Sequence, residues 1–407
     1  MYYLWKSRNR YKMKLLRYIS VLSAVLMSVS VHAQTKDDAK VSFAYDVDFQ
    51  MQFDNREFYR SGFTPSMTIF GARLTPSVGL AVQQSNGTLH KLMAGIDVMK
   101  DFGNSPVSSD RAAADSPETD NKLSNLKLFR EITLYYSVEK QMGKTGLSLL
   151  AGVFPRRFSE GNYSRAFFSD SLRFYDNNLE GVMLQIRRPK ASFEVACDWM
   201  GQYGPDRREK FMVFSAGEGE ILPFMSLGYA GYLYHFANSY TQKGVVDNIL
   251  LNPYLKFDFS DAFGLQRLDV RLGWLQGLQN DRVHGNGYVF PSGGEVDLDI
   301  RNWNVGVRNR LFCGTDMMPL YNDKDNTGVK YGPELYMGDP FYRVYDDGND
   351  GMGIYDRLEV YYEPDFKGSS KYINIRIGAI FHFNSMKYCG TQQMVTVRFN
   401  LQSLLSR

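Results

Sequence analysis

Residues 156 to 177 interleave charged and aromatic side chains in a segment that lies between two predicted strands. The charged members are Arg156, Arg157, Glu160, Arg165, Asp170, Arg173 and Asp176. Opposed charges at a narrow point of a water-filled passage create a field that, together with the diameter, selects solutes. We therefore expect a constriction in which the four arginines face the three acids. The alternative is an ordered, aromatic-rich loop stacked on the rim of the fold.

A second set of charged residues occupies alternate positions of predicted strands. Its members are Arg267, Asp269, Arg271, Asp297, Asp299, Arg301, Arg308, Arg310, Arg376 and Arg398. Arginine binds phosphates and carboxylates through paired hydrogen bonds, so a wall lined by arginine would favour anionic solutes. The neighbouring acids offer the alternative that the arginines are paired internally. The sequence leaves both interpretations open.

Four residues match the order in which oxygen ligands wrap calcium in a binding loop. They are Asp323, Asp325, Thr327 and Glu334. The match lacks the flanking helices of such a loop, and Pro333 precedes the glutamate that would bind through both oxygens. A chance match in an acidic segment is the alternative. The sequence implies no other cofactor.

Histidines that could act as general bases are scattered. His90, His235, His284 and His382 lie in four separate elements, with neither an H-E-x-x-H metal motif nor a G-x-S-x-G nucleophile elbow. A hydrolase could still assemble Ser, His and Asp from distant elements, and His235 and His382 would be its candidates. We predict instead that the protein is not an enzyme.

The three cysteines are Cys197, Cys313 and Cys389, without a C-x-x-C pair. An odd count argues against a disulfide framework. Cys313 and Cys389 fall near the same rim of the predicted topology, so a bond between them stays open. Unpaired thiols are the simpler interpretation.

The first 33 residues have the order of a secretory signal peptide. A basic region is followed by an apolar stretch from Ile19 to Val31 and by a small-residue site that ends at Ala33. We predict cleavage there, with either Met1 or Met13 as the start. An uncleaved anchor is the alternative, but the stretch is shorter than the roughly 20 residues that span a bilayer. No cysteine follows it, which argues against a lipid-anchored protein.

Cleavage changes the charge balance of the chain. The whole sequence has 47 Lys and Arg against 44 Asp and Glu. The leader contains six of the basic residues and no acidic one, so 47 less 6 leaves 41 basic residues in the mature chain. The mature chain therefore lacks the excess of basic residues that is typical of nucleic-acid-binding proteins. The chain is rich in aromatic residues, with 27 Tyr and 28 Phe, and has no second apolar run long enough for a spanning helix.

Regular alternation of apolar and polar residues indicates the fold class. From Val41 to Asp54 every second residue is apolar and every other one is polar or small. Since side chains alternate between the faces of a strand, this pattern puts all the apolar ones on one face. Only helices and closed barrels satisfy the backbone in hydrocarbon. Without a spanning helix, we predict an all-β, antiparallel transmembrane barrel.

The same rule gives sixteen strands. They are residues 41 to 54, 64 to 83, 88 to 102, 126 to 139, 146 to 155, 178 to 188, 190 to 200, 208 to 216, 224 to 237, 248 to 259, 265 to 276, 293 to 302, 304 to 313, 353 to 363, 370 to 383 and 391 to 402. Short and long connections alternate, as periplasmic turns and external loops do in bacterial outer-membrane barrels. Pro76 and Pro253 interrupt two strands, so fourteen or eighteen strands remain open.

The chain resembles the porin-like barrels of the Gram-negative outer membrane. The resemblance lies in the leader ending Val31-His32-Ala33, the amphipathic strands, and a last strand from Val395 to Leu401 that alternates like an assembly signal. The chain departs from many such barrels in running on to Arg407 instead of ending on an aromatic residue. Segments such as 165 to 172 and 338 to 342 look like those of hypothetical outer-membrane barrels. This likeness identifies no substrate.

The resemblance implies a location, partners and a function. It implies a single barrel domain over 34 to 407 in the outer membrane, surrounded by lipid, inserted by the barrel assembly machinery and often trimeric. We expect a channel for passive diffusion of small hydrophilic solutes, narrowed by residues 156 to 177. The alternative is a closed structural or adhesive barrel whose external loops form a binding surface.

Overall fold

The structure is a computed structural model. It describes residues 39–59, 65–102, 129–205, 207–237, 239, 244–285, 287–325, 328–344, 351–366, 368–369, 372–385 and 387–402. The predicted signal peptide lies outside the described residues. The few helices in the described part are short, and none is long and apolar enough to cross a bilayer.

The described residues form one antiparallel sheet that closes on itself. Its strands are β1 Lys40–Phe58, β2 Met67–Gln83, β3 Leu89–Asp101, β4 Phe129–Met142, β5 Thr145–Pro155, β6 Asn178–Arg188, β7 Ala191–Gly201, β8 Lys210–Leu222, β9 Met225–Ala237, β10 Val245–Asp258, β11 Arg267–Asp281, β12 Tyr288–Val289, β13 Ser292–Asn302, β14 Val305–Gly314, β15 Gly353–Tyr362, β16 Ile373–Asn384 and β17 Lys387–Gln402. Strand β1 pairs with both β2 and β17, which closes the ring and leaves no free edge.

The ring has sixteen strands, because β12 and β13 together fill one position in the wall. Val289 pairs with Gln279 and Ser292 pairs with Gln276 of the same neighbour, β11, in one continuous register. Phe290 and Pro291 interrupt this strand without shifting it. The predicted all-β barrel and its strand number are confirmed.

Burial inverts the pattern of a soluble protein. On β1 the polar residues Asp46, Asp48 and Asp54 are buried, whereas Phe43 is 49% exposed. The apolar face of the wall points outward and the polar face points into the barrel. An outward apolar band around a polar interior is the pattern of a barrel whose solvent is lipid.

Short turns gather at one end of the barrel and longer loops at the other. Following the rule for bacterial barrels, we call these ends periplasmic and external. The third external loop covers residues 156–177, and it contains short helices at Arg156–Phe158 and Asp170–Tyr175. The seventh loop follows β14 at residue 315, and its described part contains short helices at Gly332–Leu335 and Pro340–Tyr342.

Both interrupting prolines lie inside regular strands. Leu251 pairs with Gln276 and Tyr254 with Gly273, so the register between β10 and β11 is the same on either side of Pro253. Proline has no N–H to donate across this gap. The side chain of Asn252 replaces it, since its Nδ2 donates to the carbonyl oxygen of Trp274 at 3.1 Å. The register across Pro76 is likewise unchanged.

We predict that Asn252→Ala lowers the free energy of unfolding by about 1 to 2 kcal/mol, because a buried carbonyl loses its donor. Midpoints of heat-induced loss of the compact form on denaturing gels would measure the effect. Pro253→Ala restores the backbone donor, so the double variant should recover part of the loss. Equal midpoints for the single and double variants would contradict this explanation.

Candidate functional site

The inner face of the wall changes character along the barrel. On β8, β14 and β15 the inward residues are charged towards the periplasmic end, where Glu218, Arg310 and Glu359 lie. Towards the external end the same strands turn buried aromatic rings inward, namely Phe214, Phe312 and Tyr355. The lumen therefore has a polar periplasmic half and an apolar external half on these strands.

Arginines and acids form a network in the periplasmic half. The pairs are Arg267 with Asp299, Arg271 with Glu295, Arg308 and Arg310 with Asp297, Arg301 with Glu363, and Arg376 with Glu359. Arg398 donates to Gln50 at 3.2 Å, and Asp269 lies 4.0 Å from Arg267. All ten residues of the predicted charged wall are on inward-facing positions. Internal pairing takes up the arginines, which weakens the anion-binding interpretation.

Two tyrosines lie flat across glycines of the neighbouring strand. The ring of Tyr254 covers Gly228, and its hydroxyl donates to Glu218 at 2.9 Å. Tyr361 covers Gly306 and donates to Asp299 at 2.6 Å. A Cβ on Gly228 would come within 2.3 Å of the Tyr254 ring. Glycine is therefore required there, and the flat tyrosine leaves the lumen above it open.

The external half of the lumen is filled by the third and seventh loops. Phe167, from the third loop, meets Tyr232 of the wall edge-on at a centroid distance of 5.3 Å. Tyr342, from the seventh loop, packs on Phe312 at 5.1 Å. Both loop residues are completely buried. Burying each such ring stabilises the folded state by about 2 kcal/mol, so the loops form a core inside the barrel.

Ion pairs fix the first half of the third loop to the wall. Arg156 pairs with Asp198 of β7 at 2.9 Å and with Asp176 at 3.1 Å. Arg157 forms a hydrogen-bonded pair with Asp46, four strands away around the ring. The loop therefore crosses the lumen and does not line one side of it.

The loop then descends towards the periplasmic end. Glu160 accepts a hydrogen bond at 2.8 Å from Arg187, which lies next to the β6–β7 turn. The carboxylate of Glu194 on β7 accepts three hydrogen bonds from the neighbouring part of the loop. The donors are the Ser159 hydroxyl at 2.6 Å, the backbone N–H of Glu160 at 2.7 Å and the Tyr163 hydroxyl at 2.9 Å. Sequence analysis missed Glu194, because its donors come from a different element.

Arg165 joins the third loop to the seventh. It binds Asp170 of its own loop and, through two nitrogens, Asp339 of the seventh loop, the shorter contact being 3.0 Å. Burial opposes ionisation of both carboxylates, but the charge of Arg165 outweighs it and lowers the pKa of each below the ordinary value. Because both pKa values are lowered, the pairs persist at pH values below the ordinary carboxyl pKa of about 4.

The backbones of the two loops also meet. Ser169 N–H donates to the Met337 carbonyl and Asp339 N–H donates to the Arg165 carbonyl, both at 2.9 Å. A Cβ on Gly338 would lie 2.0 Å from the carbonyl oxygen of Ala166, so only glycine allows this approach. We call the joined third and seventh loops the plug.

Three large cavities surround the plug. The first, of about 500 Å³, lies in the periplasmic half between β6 and β14; the second, of about 480 Å³, lies there beside β1 and β3 to β5. Glu160 and Arg187 line both, so this ion pair of the third loop divides them. The third cavity, of about 580 Å³, opens at the external rim beside Met200 and Phe236.

Two inward-facing rows of wall residues separate the external cavity from the first periplasmic one. Between their linings, β7 turns Ala196 and Asp198 inward and β8 turns Met212 and Phe214 inward. The plug fills the remaining space with Arg156, which pairs with Asp198, and with Phe168, whose ring lies 5.5 Å from that of Phe214. We call Arg156, Asp198, Phe168 and Phe214 the barrier.

The seven charges predicted for a constriction do not stand in two facing banks. Six of them are tied into the pairs described above, and Arg173 is exposed with no carboxylate within 4 Å among the described residues. The charges of the loop therefore hold it across the lumen. Of the seven, only Arg156 belongs to the barrier, and a role for the others in solute selection stays a prediction.

Two residues of the predicted calcium site, Asp325 and Glu334, have other partners. Asp325 pairs with Arg208 and accepts from the Val329 N–H at 3.0 Å, and Glu334 lies 3.6 Å from Lys210. Thr327 lies outside the described residues. Within the described part, no three Asp, Glu, His or Cys side chains converge as metal ligands would.

The four histidines remain apart. His382 is buried in the lumen against Phe341, with Nδ1 3.0 Å from the Tyr355 hydroxyl. His235 stacks on Phe211 on the outer face. His90 lies 2.6 Å from Tyr136, and His284 lies 2.7 Å from Asp281, which raises the pKa of His284. The three cysteines are free.

Comparisons with known proteins find one family model and several solved structures that are similar to this chain. A model of the lipid A 3'-O-deacylase-type family matches residues 34–230, just under half of the chain. No protein of curated function matches the sequence. OprD of Pseudomonas aeruginosa is 12% identical over 92% of this chain and 100% of its own, with a TM-score of 0.46.

Two further solved structures are similar at the same level. OccAB3 of Acinetobacter baumannii is 10% identical over 89% of this chain and 100% of its own, with a TM-score of 0.43. OccK3 (OpdO) of P. aeruginosa is 8% identical over 89% of this chain and 96% of its own, with a TM-score of 0.42. The fold assignment rests on the closed ring and its inverted burial, since these scores are too low to carry it. The chain has the fold of an outer-membrane porin-like β-barrel.

We predict that Arg165→Met separates the two loops of the plug. Removing Arg165 leaves the buried Asp339 and the half-buried Asp170 without this counter-charge, which costs about 3 to 5 kcal/mol for a buried pair. Limited proteolysis should therefore cleave the seventh loop faster than in the unmodified protein.

The matched control is Lys190→Met, which removes the exposed pair with Glu220 at the periplasmic end. An exposed pair contributes about 0 to 1 kcal/mol, so cleavage should not change. Equal cleavage rates for Arg165→Met and the control would show that Arg165 does not hold the plug.

Proposed function

We propose that the protein is an outer-membrane channel for small hydrophilic solutes, closed in the described state by its plug. The observation that carries the proposal is the position of the three cavities. Polar space exists on both sides of the plug, and the barrier is part of the packed region that separates the external cavity from the first periplasmic one.

The structure of the wall favours a channel function rather than a purely structural role for the barrel. A barrel with only a structural role gains nothing from cavities of about 500 Å³ in its periplasmic half. Here the network of arginines and acids lines the first cavity, and Gly228 lets Tyr254 lie flat so that the space stays open. Charged linings and a defined diameter are the usual means by which channels select solutes.

The plug sets the expected behaviour of the channel. Emptying the external half would expose several buried aromatic rings, each costing about 2 kcal/mol. Wide opening is therefore unfavourable, and we expect passage to follow a local rearrangement around the barrier. We infer a narrow, selective channel with low conductance and not a general diffusion pore.

Single-channel recording in planar bilayers tests this proposal, with protein purified from outer membranes. Phe168→Ala removes a barrier ring and should raise conductance. Phe174→Ala is the matched control, because Phe174 is an equally buried phenylalanine of the same loop that packs on Ile69 and Met99, away from the barrier. Each variant loses about 3 to 5 kcal/mol of stability, so stability alone cannot separate them.

Higher conductance for Phe168→Ala than for the control supports the channel. If neither the unmodified protein nor Phe168→Ala conducts, although both run as folded barrels on gels, the channel is replaced by the closed structural or adhesive barrel.

A second candidate function follows from the family match. The name of that family concerns hydrolysis of an acyl ester of lipid A, and such a lipid would reach the outer face of the wall. On that face, within the matched region, Thr68 donates to Asn55 Oδ1 at 2.8 Å, and Asn55 Nδ2 lies 3.0 Å from Glu57. Phe53 and Phe70 form an aromatic contact directly below.

This outward row offers a hydroxyl, an amide and a carboxylate at the external end, but its described hydrogen bonds include no histidine. Mass spectrometry of lipid A from cells with and without the protein tests the candidate. Loss of one acyl chain that depends on Thr68 would establish hydrolysis. An unchanged lipid A spectrum in cells that express the protein fully would rule out this second function.

A further inference from the structure

Most charged groups that line the first periplasmic cavity are matched by a partner of opposite charge. Arg187 pairs with Glu160, Arg267 with Asp299 and, at 4.0 Å, with Asp269, Arg271 with Glu295, and Arg308 with Asp297. Glu194 has no Lys, Arg or His nitrogen within 4 Å among the described residues, but neutral donors of the third loop occupy its oxygens. These groups are therefore already satisfied within the protein.

Two lining residues differ from the rest. Glu218 accepts one hydrogen bond, from Tyr254 to Oε2, and no Lys, Arg or His nitrogen lies within 4 Å of it among the described residues. Lys256 also lines the cavity, and within the same described part it has neither an ion pair nor a hydrogen bond. An unpaired charge of each sign thus faces the same water-filled space.

The strand register places these two charges at a useful separation. Glu218 pairs with Gly228, and Gly228 pairs with Tyr254, so the three lie in one row across β8, β9 and β10. Lys256 is two residues further along β10, on the same face. Two strand spacings and two residue rises put the Cα atoms about 12 Å apart. The side chains project inward over Tyr254, leaving a gap that a small molecule can bridge.

We propose that the first periplasmic cavity binds compact zwitterionic solutes, which carry an ammonium and a carboxylate on one small skeleton. The ammonium would donate to the free Oε1 of Glu218, and the carboxylate would accept from Lys256. This inference rests on the proposed channel and names the class of solute it selects. Asp269 and Asp258 also lie near Lys256, and Arg271 faces it from β11, but within the described part none of them makes an ion pair or hydrogen bond with Lys256.

Binding to the detergent-solubilised, folded barrel tests the proposal without requiring transport. The probes are 4-aminobutyrate, which has both charges, and butyrate and butylamine, which each have one. A charged hydrogen bond contributes about 1.5 to 3 kcal/mol, so the zwitterion should bind about ten- to a hundredfold more tightly than either probe. Titration calorimetry or saturation-transfer NMR would measure the affinities.

Variants locate the site. Glu218→Gln and Lys256→Met should each reduce the affinity for 4-aminobutyrate to that of a single-charge probe. The exchange Glu218→Lys with Lys256→Glu should restore it, because the zwitterion can bind in the reverse direction. Lys190→Met, which removes a cation from the β6–β7 turn, should leave the affinity unchanged.

The outcomes separate this inference from the proposed function. Equal binding of the three probes, or loss of affinity that the exchanged pair does not restore, overturns the zwitterion site even if the barrel conducts. Selective binding by a barrel that shows no conductance supports the site and overturns the channel.

Discussion

Every backbone N–H and C=O in a lipid environment must find its partner within the protein, and the whole structure depends on this constraint. A closed ring of strands is one of two ways to meet it, and here β1 closes the ring by pairing with β17. Once the ring is closed, the outer face must be apolar, and polar residues have only the interior left. The polar interior then creates a second problem, since buried charges need partners.

The chain solves that problem in two ways along the length of the lumen. In the periplasmic half, arginines and acids of neighbouring strands pair with each other around cavities large enough for solutes. In the external half, the wall becomes aromatic and two loops fold inward to form a core. Arg165 and Gly338 join these loops, so closure at the external end is a property of the folded state.

The sequence predicted the fold more fully than the site. Period-two alternation located all sixteen strands, because each crosses the same lipid band and repeats the same pattern. It ended β8 at residue 216, whereas the strand continues to Leu222. The glycines at 217 and 219 looked like a turn, but Gly217 lies against the Tyr229 ring of the next strand. Such a pairing between strands cannot be recognised from one strand alone.

The site depended on contacts between distant parts of the chain. The prediction of a constriction rested on the charged composition of residues 156 to 177, and spacing did not reveal that Arg157 reaches Asp46 or that Arg165 reaches Asp339. The alternation placed eight charges between residues 267 and 310 on the lumen side, together with Arg376 and Arg398 of the last two strands. Which of these charges are paired depends on the register between strands, which one strand's sequence does not reveal. For the same reason, sequence analysis did not identify Glu218 and Lys256 as unpaired charges.

Sidedness of access to the lumen tests the central claim, closure by the plug at the external end, most directly. With the native cysteines replaced by serine, Ser192→Cys would report on the first periplasmic cavity and Lys330→Cys on the external one. A maleimide on a polyethylene glycol chain, added to intact cells, should label Lys330→Cys but reach Ser192→Cys only after the outer membrane is permeabilised. Equally fast labelling of both positions in intact cells would contradict closure by the plug.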